Sequence, residues 1–404
     1  MNAEKKSWTE SYGMNFDPVS HSVNTDPAYF ELEREKIFKK SWINICRIDE
    51  LSEPGSFVVK EIEVWRTSVV ITRDPAGKLH AFHNSCRHRG NKIVMSGAKQ
   101  AGLARGFMCV FHGWTYDLAG KLTYVPDEEA FCKKLDHDDL SLKAISIDVW
   151  RGFVFLNLQT PPAQSLVEFL GEWGRRTSEY PFETMKAYVR YSVTAACNWK
   201  IFMDAFQEGY HVCTLHRKGA YKPFASKENP FAHMYDLELF PSGHRRFSFP
   251  ANLEFEPTFS TQLAMKFAPS NIYGYNESAG GVGGVNRAGR KDWAFDLGIV
   301  FPNTQFLLGN GWFLYYNYWP IAVDKTRFEA RYYLLPASNA AERVSIENSE
   351  AALRDVLQED FCTVEDTQAS LKSGAISHMQ LSDEEVSCRF NYDLIDRLVR
   401  VGES

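Results

Sequence analysis

Two short stretches, "CRHRG" at residues 86–90 and "CVFHGW" at residues 109–114, decide how this chain is interpreted. Each supplies one cysteine and one histidine: Cys86 and His88 in the first, Cys109 and His112 in the second. Structural zinc sites usually take their cysteines and histidines as like pairs, whereas these residues come in mixed pairs. A [2Fe–2S] cluster needs mixed pairs when two thiolates bind one iron and two imidazoles bind the other. The two stretches therefore predict such a cluster, held between two loops.

The composition excludes several classes of protein. The chain has 404 residues, 44% hydrophobic and 14% aromatic, which suggests two domains with sizeable cores. Its net charge of -6 argues against nucleic acid binding, which needs a concentrated basic surface. No long uncharged apolar run predicts a membrane span, and the opening "MNAEKKSW" contains no secretory segment. Eight scattered cysteines fit a reducing compartment, so we expect a cytoplasmic protein.

The predicted secondary structure changes twice along the chain. From about residue 54 to residue 158, short β-rich runs alternate with turn signals such as "DPAG" and "DLAG", which predicts a small antiparallel β domain. Beyond the linker "QTPPAQS", helices alternate with long aromatic strands such as "GWFLYYNYWPIAV". The glycine-rich residues 278–289 do not match a dinucleotide-binding fingerprint. We expect a mobile lid over a pocket entrance there.

A second candidate site lies in "NWKIFMDAFQEGYHVCTLH", residues 198–216. On a helical wheel Asp204, Glu208 and His211 fall in one narrow sector, because spacings of four and three return nearly to the same face. His216 follows His211 by five, so both can bind one metal only if the helix ends or widens between them. Taken alone, such a stripe is more often the solvated face of an amphipathic helix.

A carboxylate is the usual third ligand of an open two-histidine iron site. The predicted helix "SEAALRDVLQEDFCTVEDTQASLKSG" has an apolar stripe with Asp360 in its middle. On a helical wheel of this predicted helix, Glu359, Glu365 and Asp366 point away from the apolar stripe. A carboxylate on a buried face must be paired or bind a metal. Asp360 is therefore the candidate third ligand, and an aspartate paired with an arginine is the alternative.

With both sets of residues in one chain, the sequence resembles the large (alpha, terminal oxygenase) subunit of the Rieske non-heme iron oxygenases along nearly its whole length. "CRHRG" and "CVFHGWTYD" stand where the two ligand loops of the Rieske proteins stand. The 20 residues between His88 and Cys109 (109 − 88 − 1) are a few more than usual, which we interpret as an enlarged hairpin. "EGYHVCTLH" and "QEDFCTVEDTQASLKSG" match the family's catalytic motif and its C-terminal ligand helix.

The resemblance implies an α+β fold with an all-β Rieske [2Fe–2S] domain and a helix-grip (START-like) catalytic domain built on a curved antiparallel sheet. We expect an N-terminal helical segment at 1–42 packing on the catalytic domain, the Rieske domain at 43–160 and the catalytic non-heme iron domain at 161–404. By the same resemblance, the four cysteines and histidines of the two loops bind the cluster. The implied ligands of a mononuclear Fe(II) are His211, His216 and Asp360. Glu208 matches the acidic residue that links the iron to a neighbouring subunit's cluster, a role that Asp204 could share.

The implied function is the terminal oxygenase component of a multicomponent Rieske oxygenase. Because no flavin or nicotinamide fingerprint is visible, electrons from NAD(P)H must arrive through a partner reductase, with or without a ferredoxin. We expect hydroxylation of an apolar aromatic or polycyclic substrate, in the catabolism of aromatic compounds. The alternatives within the family are O- or N-demethylation or another monooxygenation. A small quaternary ammonium compound is the alternative substrate. The family's head-to-tail assembly implies a homotrimer, or a hexamer with a small subunit.

Other classes of protein remain as competing interpretations. A zinc-stabilised binding protein would be colourless, whereas a Rieske protein is red-brown. A pure electron carrier would hold two irons per chain rather than three. Basic residues near the cluster motif either steer an acidic electron donor or form ordinary solvated surface. They are Arg87, Arg89, Lys92, Lys99 and Arg105.

Overall fold

A computed structural model of the protein describes residues 7–217, 219–270 and 282–400. The chain divides into two units. The larger unit comprises Met1–Glu33 and Leu170–Ser404, and the smaller unit comprises Arg34–Phe169. In the described residues, no helix is both long enough and apolar enough to cross a membrane.

The described helices and strands are numbered in chain order. The α-helices are α1 (Trp8–Ser11), α2 (Pro27–Glu33), α3 (Leu166–Thr177), α4 (Trp199–Asp204), α5 (Val212–Leu215), α6 (Phe259–Phe267), α7 (Ala340–Lys372) and α8 (Val386–Arg400). A π-helical turn spans Arg34–Phe38, and 3-10 turns span His21–Asn24, Ile48–Leu51, Glu63–Trp65, Glu128–Ala130, Phe182–Thr184 and Asp383–Glu385. The strands before residue 160 are β1 (Val19–Ser20), β2 (Ile43–Arg47), β3 (Ser56–Ile62), β4 (Thr67–Arg73), β5 (Leu79–His83), β6 (Ala101–Leu103), β7 (Phe107–Met108), β8 (Thr115–Tyr116), β9 (Leu122–Tyr124), β10 (Ser146–Trp150) and β11 (Phe153–Asn157). The later strands are β12 (Lys186–Ala195), β13 (Tyr235–Leu239), β14 (Arg245–Pro250), β15 (Trp293–Val300), β16 (Thr304–Gly309), β17 (Trp312–Ala322), β18 (Lys325–Leu334) and β19 (His378–Met379).

The smaller unit is built from three small antiparallel sheets, with strand orders β10–β11–β2, β5–β4–β3–β6 and β7–β8–β9. Between β2 and β11 the described chain contains no α-helix. Trp114 and Tyr116 belong to a buried apolar cluster that also includes the side chains of Cys86 and Cys109. The loops that carry the two cysteines therefore pack directly on the core of this unit, which fixes their positions.

The long stretch between His88 and Cys109 is not the enlarged hairpin that the sequence suggested. Its strand β6 pairs antiparallel with β3, with Ser56 opposite Leu103, whereas β7 pairs with β8. Two strands that lie in different sheets do not form a hairpin. The extra residues instead add an edge strand to the β5–β4–β3 sheet.

The larger unit contains a seven-stranded sheet of order β12–β18–β17–β16–β15–β14–β13, in which every pairing is antiparallel. Register shifts interrupt β12 between Ala187 and Val189 and β17 between Pro320 and Ala322. Such bulges bend a strand and increase its twist, as expected for a curved sheet. Because successive side chains alternate between faces, Leu314 and Tyr316 of β17 share one face of the sheet.

Helix α7 begins with Asn339, whose side chain accepts a hydrogen bond from the amide of Glu342. Its buried face includes Leu353, Leu357 and Val364, and each such side chain contributes about 1.5–3 kcal/mol when it leaves water. Asp360 lies in that stripe and is only 2% exposed. An unpaired buried carboxylate costs several kcal/mol, so its position is not explained by packing.

The observed architecture confirms the predicted α+β class, with an all-β unit and a unit in which helices accompany an antiparallel sheet. The boundaries between the units differ from the predicted domain boundaries. The smaller unit begins at Arg34 and ends at Phe169, whereas residues 43 and 160 were expected. Residues 34–42, which were expected to accompany the catalytic domain, belong to the smaller unit, and Trp65 Nε1 donates to the carbonyl of Phe38 there.

Candidate metal centres

The first cysteine–histidine loop closes on its own cysteine. The amide of Cys86 donates to the carbonyl of Asn91 at 2.8 Å, and the carbonyl of Cys86 accepts from the amide of Gly90 at 2.9 Å. Gly90 has φ +80°, a left-handed conformation that glycine adopts without strain. The thiol of Cys86 is turned into the core, and the residue is 3% exposed.

The second loop repeats this design. The amide of Cys109 donates to the carbonyl of Trp114, and its carbonyl accepts from the amide of Gly113, both at 2.8 Å. Gly113 has φ +74°, and a Cβ at this position would lie 2.8 Å from Pro126 Cγ. Glycine is therefore required here both by the backbone conformation and by the close approach of the proline.

The histidines of the two loops face each other. The rings of His88 and His112 have centroids 4.5 Å apart, and His88 stacks on Trp114 at 4.9 Å. His88 Nδ1 is buried and has no hydrogen-bond partner in the described part of the chain. An imidazole nitrogen that is buried without a partner suits a metal ligand, because a metal–nitrogen bond replaces the missing hydrogen bond.

Each of the two sulfur atoms lies near a hydrogen-bond donor. Tyr116 Oη lies 3.4 Å from Cys86 Sγ, and Asn91 Nδ2 donates to Cys109 Sγ at 3.8 Å. Burial raises the pKa of Cys86, and the neighbouring Cys109 thiol adds to the rise. Two thiolates this close together need positive charge, which bound iron supplies. The donor set therefore fits a [2Fe–2S] cluster with two thiolate and two imidazole ligands.

The basic residues around these loops have mixed surroundings. Lys92 Nζ lies 2.6 Å from a carboxylate oxygen of Glu61, so its charge is compensated within the unit. The guanidinium of Arg89 lies 5.2 Å from the ring centroid of Phe111, which is 55% exposed. Arg87 donates to a backbone carbonyl. These contacts leave both interpretations of the basic residues open.

The predicted helix over residues 198–216 is broken into two. Helix α4 ends at Asp204, and the short helix α5 lies between His211 at its N-terminal cap and His216 at its C-terminal cap. Glu208 causes the break locally, because its side chain accepts hydrogen bonds from the amides of Tyr210 and His211. The sequence required the helix to end or widen between the two histidines, whereas α4 already ends before the first of them.

His211, His216 and Asp360 converge on one point, as the sequence predicted for a metal site. The two Nε2 atoms lie 3.2 Å apart, and Asp360 Oδ1 lies 3.1 Å from His216 Nε2 and 3.6 Å from His211 Nε2. Two ligand atoms that are each about 2.1 Å from one ion, at right angles, lie about 3.0 Å apart. The three atoms thus have the spacing of a facial two-histidine, one-carboxylate site.

The electrostatics of these three residues also fit a cation. Burial raises the pKa of Asp360, and the nearby His216 only partly offsets this rise. Burial alone would lower the pKa of His216, but hydrogen bonds and charge from Asp360 and Glu359 outweigh burial and raise it. A divalent ion would satisfy the carboxylate and the imidazoles together.

Glu208 and Asp204, predicted as neighbours on one helix face, have different partners. Glu208 Oε1 accepts a hydrogen bond from His211 Nδ1. Asp204 instead accepts hydrogen bonds from Tyr392 Oη at 2.7 Å and from Gln207 Nε2 at 2.6 Å. Burial raises the pKa of Asp204 to about 6. Of these two carboxylates, Glu208 therefore contacts a histidine of the metal site directly and Asp204 does not.

The metal site lies on the wall of an apolar cavity with a volume of about 130 Å³. His211, His216 and Asp360 line it together with Glu208. The aromatic side chains that line it are Phe206, Phe224, Phe249, Phe295, Trp312, Tyr316 and Tyr332. The aliphatic ones are Ala205, Val212, Ala220, Leu297, Leu307, Leu314, Ala352, Leu353 and Val356. In the described part of the chain, no lysine or arginine lines this cavity.

A second cavity of about 600 Å³ adjoins the same metal site. Its lining is acidic, with carboxylates from Asp204, Glu208, Asp360 and Glu385. Hydroxyl and amide groups add to its polarity, and no described lysine or arginine lines it. Glu208, His211 and Asp360 line both cavities, so the site borders an apolar cavity and a second cavity that carries several carboxylates.

The predicted lid is only partly within the described residues, because 278–281 lie outside them. Gly283 and Gly284 approach Glu179 and Tyr180 so closely that a Cβ on either glycine would lie 2.9 Å from an atom of that pair. Residues 282–289 do not line the apolar cavity. The lid stays a prediction without support from this described part.

Comparison with protein-family models matches both parts of the chain. Residues 41–145 match the Rieske [2Fe-2S] domain. Residues 182–400, more than half of the chain, match the catalytic domain of the ring hydroxylating alpha subunit. The chain belongs to the Rieske oxygenase alpha subunits. It therefore combines a Rieske [2Fe–2S] domain with the catalytic domain of the non-heme iron oxygenases.

Relatives of this alpha subunit act on different compounds. It is 34% identical over 209 residues to the anthranilate 1,2-dioxygenase large subunit of Acinetobacter baylyi, covering 49% of this chain and 42% of the relative. It is 30% identical over 187 residues to the glycine betaine monooxygenase oxygenase subunit of Pseudomonas aeruginosa, covering 46% and 42%. Choline monooxygenase of Amaranthus tricolor, a chloroplastic protein, is 25% identical over 357 residues, covering 87% and 70%. The match thus spans less than half the length of the first two relatives.

Solved structures share the fold of this alpha subunit. Naphthalene 1,2-dioxygenase from Rhodococcus sp., bound to indole, aligns with a TM-score of 0.73 at 19% identity, covering 95% of each chain. A quaternary ammonium Rieske monooxygenase, associated with carnitine oxidation by gut microbiota, aligns with a TM-score of 0.73 at 20% identity, covering 94% of each chain. At these identities the likeness is evidence for the fold alone.

One residue beside the metal site of this alpha subunit was not predicted from the sequence. Glu359 was expected to point away from the site, but its Oε2 accepts a hydrogen bond from His216 Nδ1 at 2.8 Å. A rule of metal chemistry would have suggested it, because a ligating histidine usually donates its second ring N–H to a carboxylate or carbonyl. The apolar stripe of α7 indicated Asp360 as a ligand, but it gave no indication of a role for the adjacent Glu359.

Proposed function

We propose that this chain is the terminal oxygenase component of a multicomponent system that hydroxylates an apolar aromatic or polycyclic substrate with O2. The observation that carries the proposal is the open triad of His211, His216 and Asp360 in the wall of an aromatic-lined cavity. Electrons come from NAD(P)H through a separate reductase, with or without a ferredoxin. A cytoplasmic location stays a prediction.

The geometry of the two candidate sites supports the proposed ligands. Cys86 and Cys109 bind one iron of the cluster, and His88 and His112 bind the other. The triad binds a mononuclear Fe(II). Bound in these places, the cluster stores and passes single electrons, and the iron offers open coordination positions for O2.

The chain's own residues orient these groups and exclude water. Glu208 holds the Nδ1–H of His211, so that Nε2 faces the metal position. We also assign Glu208 to the electron path toward the cluster of a neighbouring subunit. Asp204, held by Tyr392, supports the local structure of this path instead of forming part of it. The apolar walls keep bulk water away from the bound substrate.

The substrate is proposed to be uncharged. No described lysine or arginine lines the apolar cavity, and the carboxylates of Glu208 and Asp360 stand at its metal end. An anionic substrate would enter this cavity without a counter-charge, which is costly. Apolar walls with few polar groups are the usual lining of a site for small apolar molecules.

The second candidate function is monooxygenation of a quaternary ammonium compound with loss of a methyl group. It rests on the aromatic rings in the wall of the same cavity. The rings of Phe224, Phe249, Phe295 and Trp312 form one connected cluster in its wall. Aromatic rings attract quaternary ammonium groups through cation–π interactions, most strongly where water is excluded. The glycine betaine and choline monooxygenases among the relatives support monooxygenation of a quaternary ammonium compound.

A head-to-tail homotrimer, or a hexamer with a small subunit, is proposed as the assembly. The acidic lining of the second cavity in one copy complements basic Arg87 and Arg89 beside the cluster loops of another copy. Heterologous contacts of this kind close into rings. One neighbour of similar fold has been described in terms of inter-subunit electron transfer.

Single turnover of the reduced protein under 18O2 tests the proposed function. Naphthalene and indole serve as neutral probes, and choline is paired with 3,3-dimethylbutanol, its uncharged isostere. Two labelled oxygens in an aromatic product would support ring dioxygenation. One labelled oxygen, or formaldehyde from choline with none from the isostere, would favour the second candidate. If protein with three irons per chain labels no probe, the proposed substrate class is wrong.

A further inference from the structure

Both ring nitrogens of His216 face carboxylates that come from consecutive residues of one helix. Nδ1 lies 2.8 Å from Glu359 Oε2, and Nε2 lies 3.1 Å from Asp360 Oδ1. Asp360 is almost fully buried, whereas the Glu359 side chain is 32% exposed. Helix α7 therefore supplies one carboxylate toward the metal position and one behind the imidazole.

This arrangement fixes the tautomer of His216. A carboxylate only accepts hydrogen bonds, so Nδ1 must carry the proton in its contact with Glu359. In a neutral imidazole the lone pair then lies on Nε2, the atom that converges with His211 Nε2 at 3.2 Å. The imidazole ring is also held against rotation, because rotation would break the contact with Glu359.

The contact with His216 distinguishes Glu359 from three other acidic residues of α7. Glu347 pairs with Arg343 at 3.0 Å, Asp355 pairs with Arg354 at 2.8 Å, and Glu365 accepts from a backbone amide at 2.7 Å. Within the described residues, the only ion-pair partner of Glu359 is His216. Its carboxylate is thus directed at the metal site and not at a surface cation.

We infer that Glu359 is a positioning residue, which sets the orientation and the tautomer of His216 so that the triad binds a divalent metal ion. The inference rests on the proposed function insofar as the triad is taken to be the metal site. His211 has its own supporting carboxylate in Glu208, so each histidine of the triad is held from behind by a different acidic residue. Glu359 acts through His216 and contacts no reacting group.

The test is the affinity of the triad for Co(II), measured by equilibrium dialysis of protein that has lost its mononuclear metal but keeps its cluster. Loss of a carboxylate behind a ligating histidine typically weakens metal binding by about 10–100-fold. We expect a loss in this range for Glu359→Ala. Glu359→Gln keeps an oxygen that accepts from Nδ1, so we expect it to bind within about threefold of the unaltered protein.

Two further measurements separate orientation from general damage. The EPR spectrum of bound Co(II) should change in Glu359→Ala and be restored in Glu359→Gln, because it reports the ligand geometry. Glu347→Ala, on the same helix and exposed, is the matched control and should leave both affinity and spectrum unchanged. Thermal unfolding of each variant shows whether the catalytic unit is folded.

The outcomes distinguish the inference from the proposed function. If folded Glu359→Ala binds Co(II) as tightly as the unaltered protein, with the same spectrum, Glu359 is not a positioning residue and the metal site still stands. Equal losses in the Ala and Gln variants would also overturn the inference, since the hydrogen bond would then be irrelevant. If His216→Ala does not change Co(II) binding, the triad itself is wrongly assigned.

Discussion

Asp360 Oδ1 lies 3.1 Å from His216 Nε2, although the carboxyl group stands in the middle of an apolar helix face and is only 2% exposed. Burial raises the pKa of Asp360, and its neighbours on the same stripe of α7 are Leu357 and Val364. A leucine here would gain about 1.5–3 kcal/mol from burial, whereas an unpaired carboxylate costs several. The carboxylate is thus retained at the expense of stability, as expected for a metal ligand.

Asp360→Ala should remove the mononuclear iron and all product formation while leaving the red-brown colour of the cluster. The reason is that the triad would lose its single anionic ligand, whereas the cluster lies in the other unit. Iron per chain should fall from three to two at an unchanged visible spectrum. Asp366→Ala, an exposed position on the same helix, is the control and should keep three irons. Normal turnover in Asp360→Ala would remove this residue from the metal site.

Glu208→Ala should slow electron transfer from the reduced cluster to the iron site. Its carboxylate accepts from His211 Nδ1 and lines the acidic cavity, so its loss removes the connection between the histidine and that surface. We expect oxidation of the reduced cluster by O2, with substrate present, to slow more than about tenfold. Stopped-flow absorbance of the cluster measures this rate. The exposed Glu228→Ala should match the unaltered protein, and an unchanged rate in Glu208→Ala would contradict the proposed path.

Asp204 should make stability depend on pH in an unusual direction. Burial raises its pKa from 3.8 to about 6, so the folded state binds more protons than the unfolded state between these two values. The free energy of unfolding contributed by this group therefore falls as pH rises from about 4 to about 6 and then stays level. At about 1.4 kcal/mol per pKa unit, the fall is at most about 3 kcal/mol, reduced by water in the second cavity.

Asp204→Asn removes this titration, so the variant should gain stability relative to the unaltered protein as pH rises from 4 to 6. Urea unfolding of both proteins at a series of pH values measures the difference. Tyr392→Phe removes the hydrogen bond to Asp204 Oδ2 that favours the ionised carboxylate, and should enlarge the pH-dependent fall. A difference between Asp204→Asn and the unaltered protein that is constant with pH would show that Asp204 is not buried as described.

His88→Cys should lower the reduction potential of the cluster. The two imidazoles reduce the negative charge on the cluster, and potentials fall from about −150 to +300 mV in mixed-ligand clusters to about −400 mV in all-cysteine ones. One added thiolate should therefore shift the midpoint downward by at least about 100 mV. Spectroelectrochemical titration gives the midpoint, and His137→Asn is the control. A midpoint that does not move would mean that His88 is not a ligand.

The proposed ligands of both metal centres were visible in the sequence for different reasons. The cluster ligands lie within two short motifs, and each motif folds into a loop that closes on its own cysteine, so local sequence was sufficient. Asp360 was found because a carboxylate in an apolar stripe contradicts the pattern around it. Both signals depend on residues that are close in sequence or on one helix face.

Other features depend on contacts between distant segments, and periodicity could not predict them. The helical wheel placed Asp204, Glu208 and His211 on one continuous helix. The helix instead ends at Asp204, and the Glu208 side chain accepts hydrogen bonds from the amides of Tyr210 and His211. Glu359 was placed away from the site, because nothing on α7 itself indicates where His216 lies. The extra residues before Cys109 joined the edge of a sheet formed by β3, which a hairpin rule does not anticipate.

The two cysteine–histidine loops have similar backbone conformations, and in each loop the cysteine is more buried than the histidine. Cys86 and Cys109 are 3% and 2% exposed, whereas His88 and His112 lie nearer to solvent. A redox partner that approached the loop tips would therefore meet imidazole before sulfur. A cluster held by these four residues would have its thiolate side buried in the protein and its imidazole side nearer to the partner.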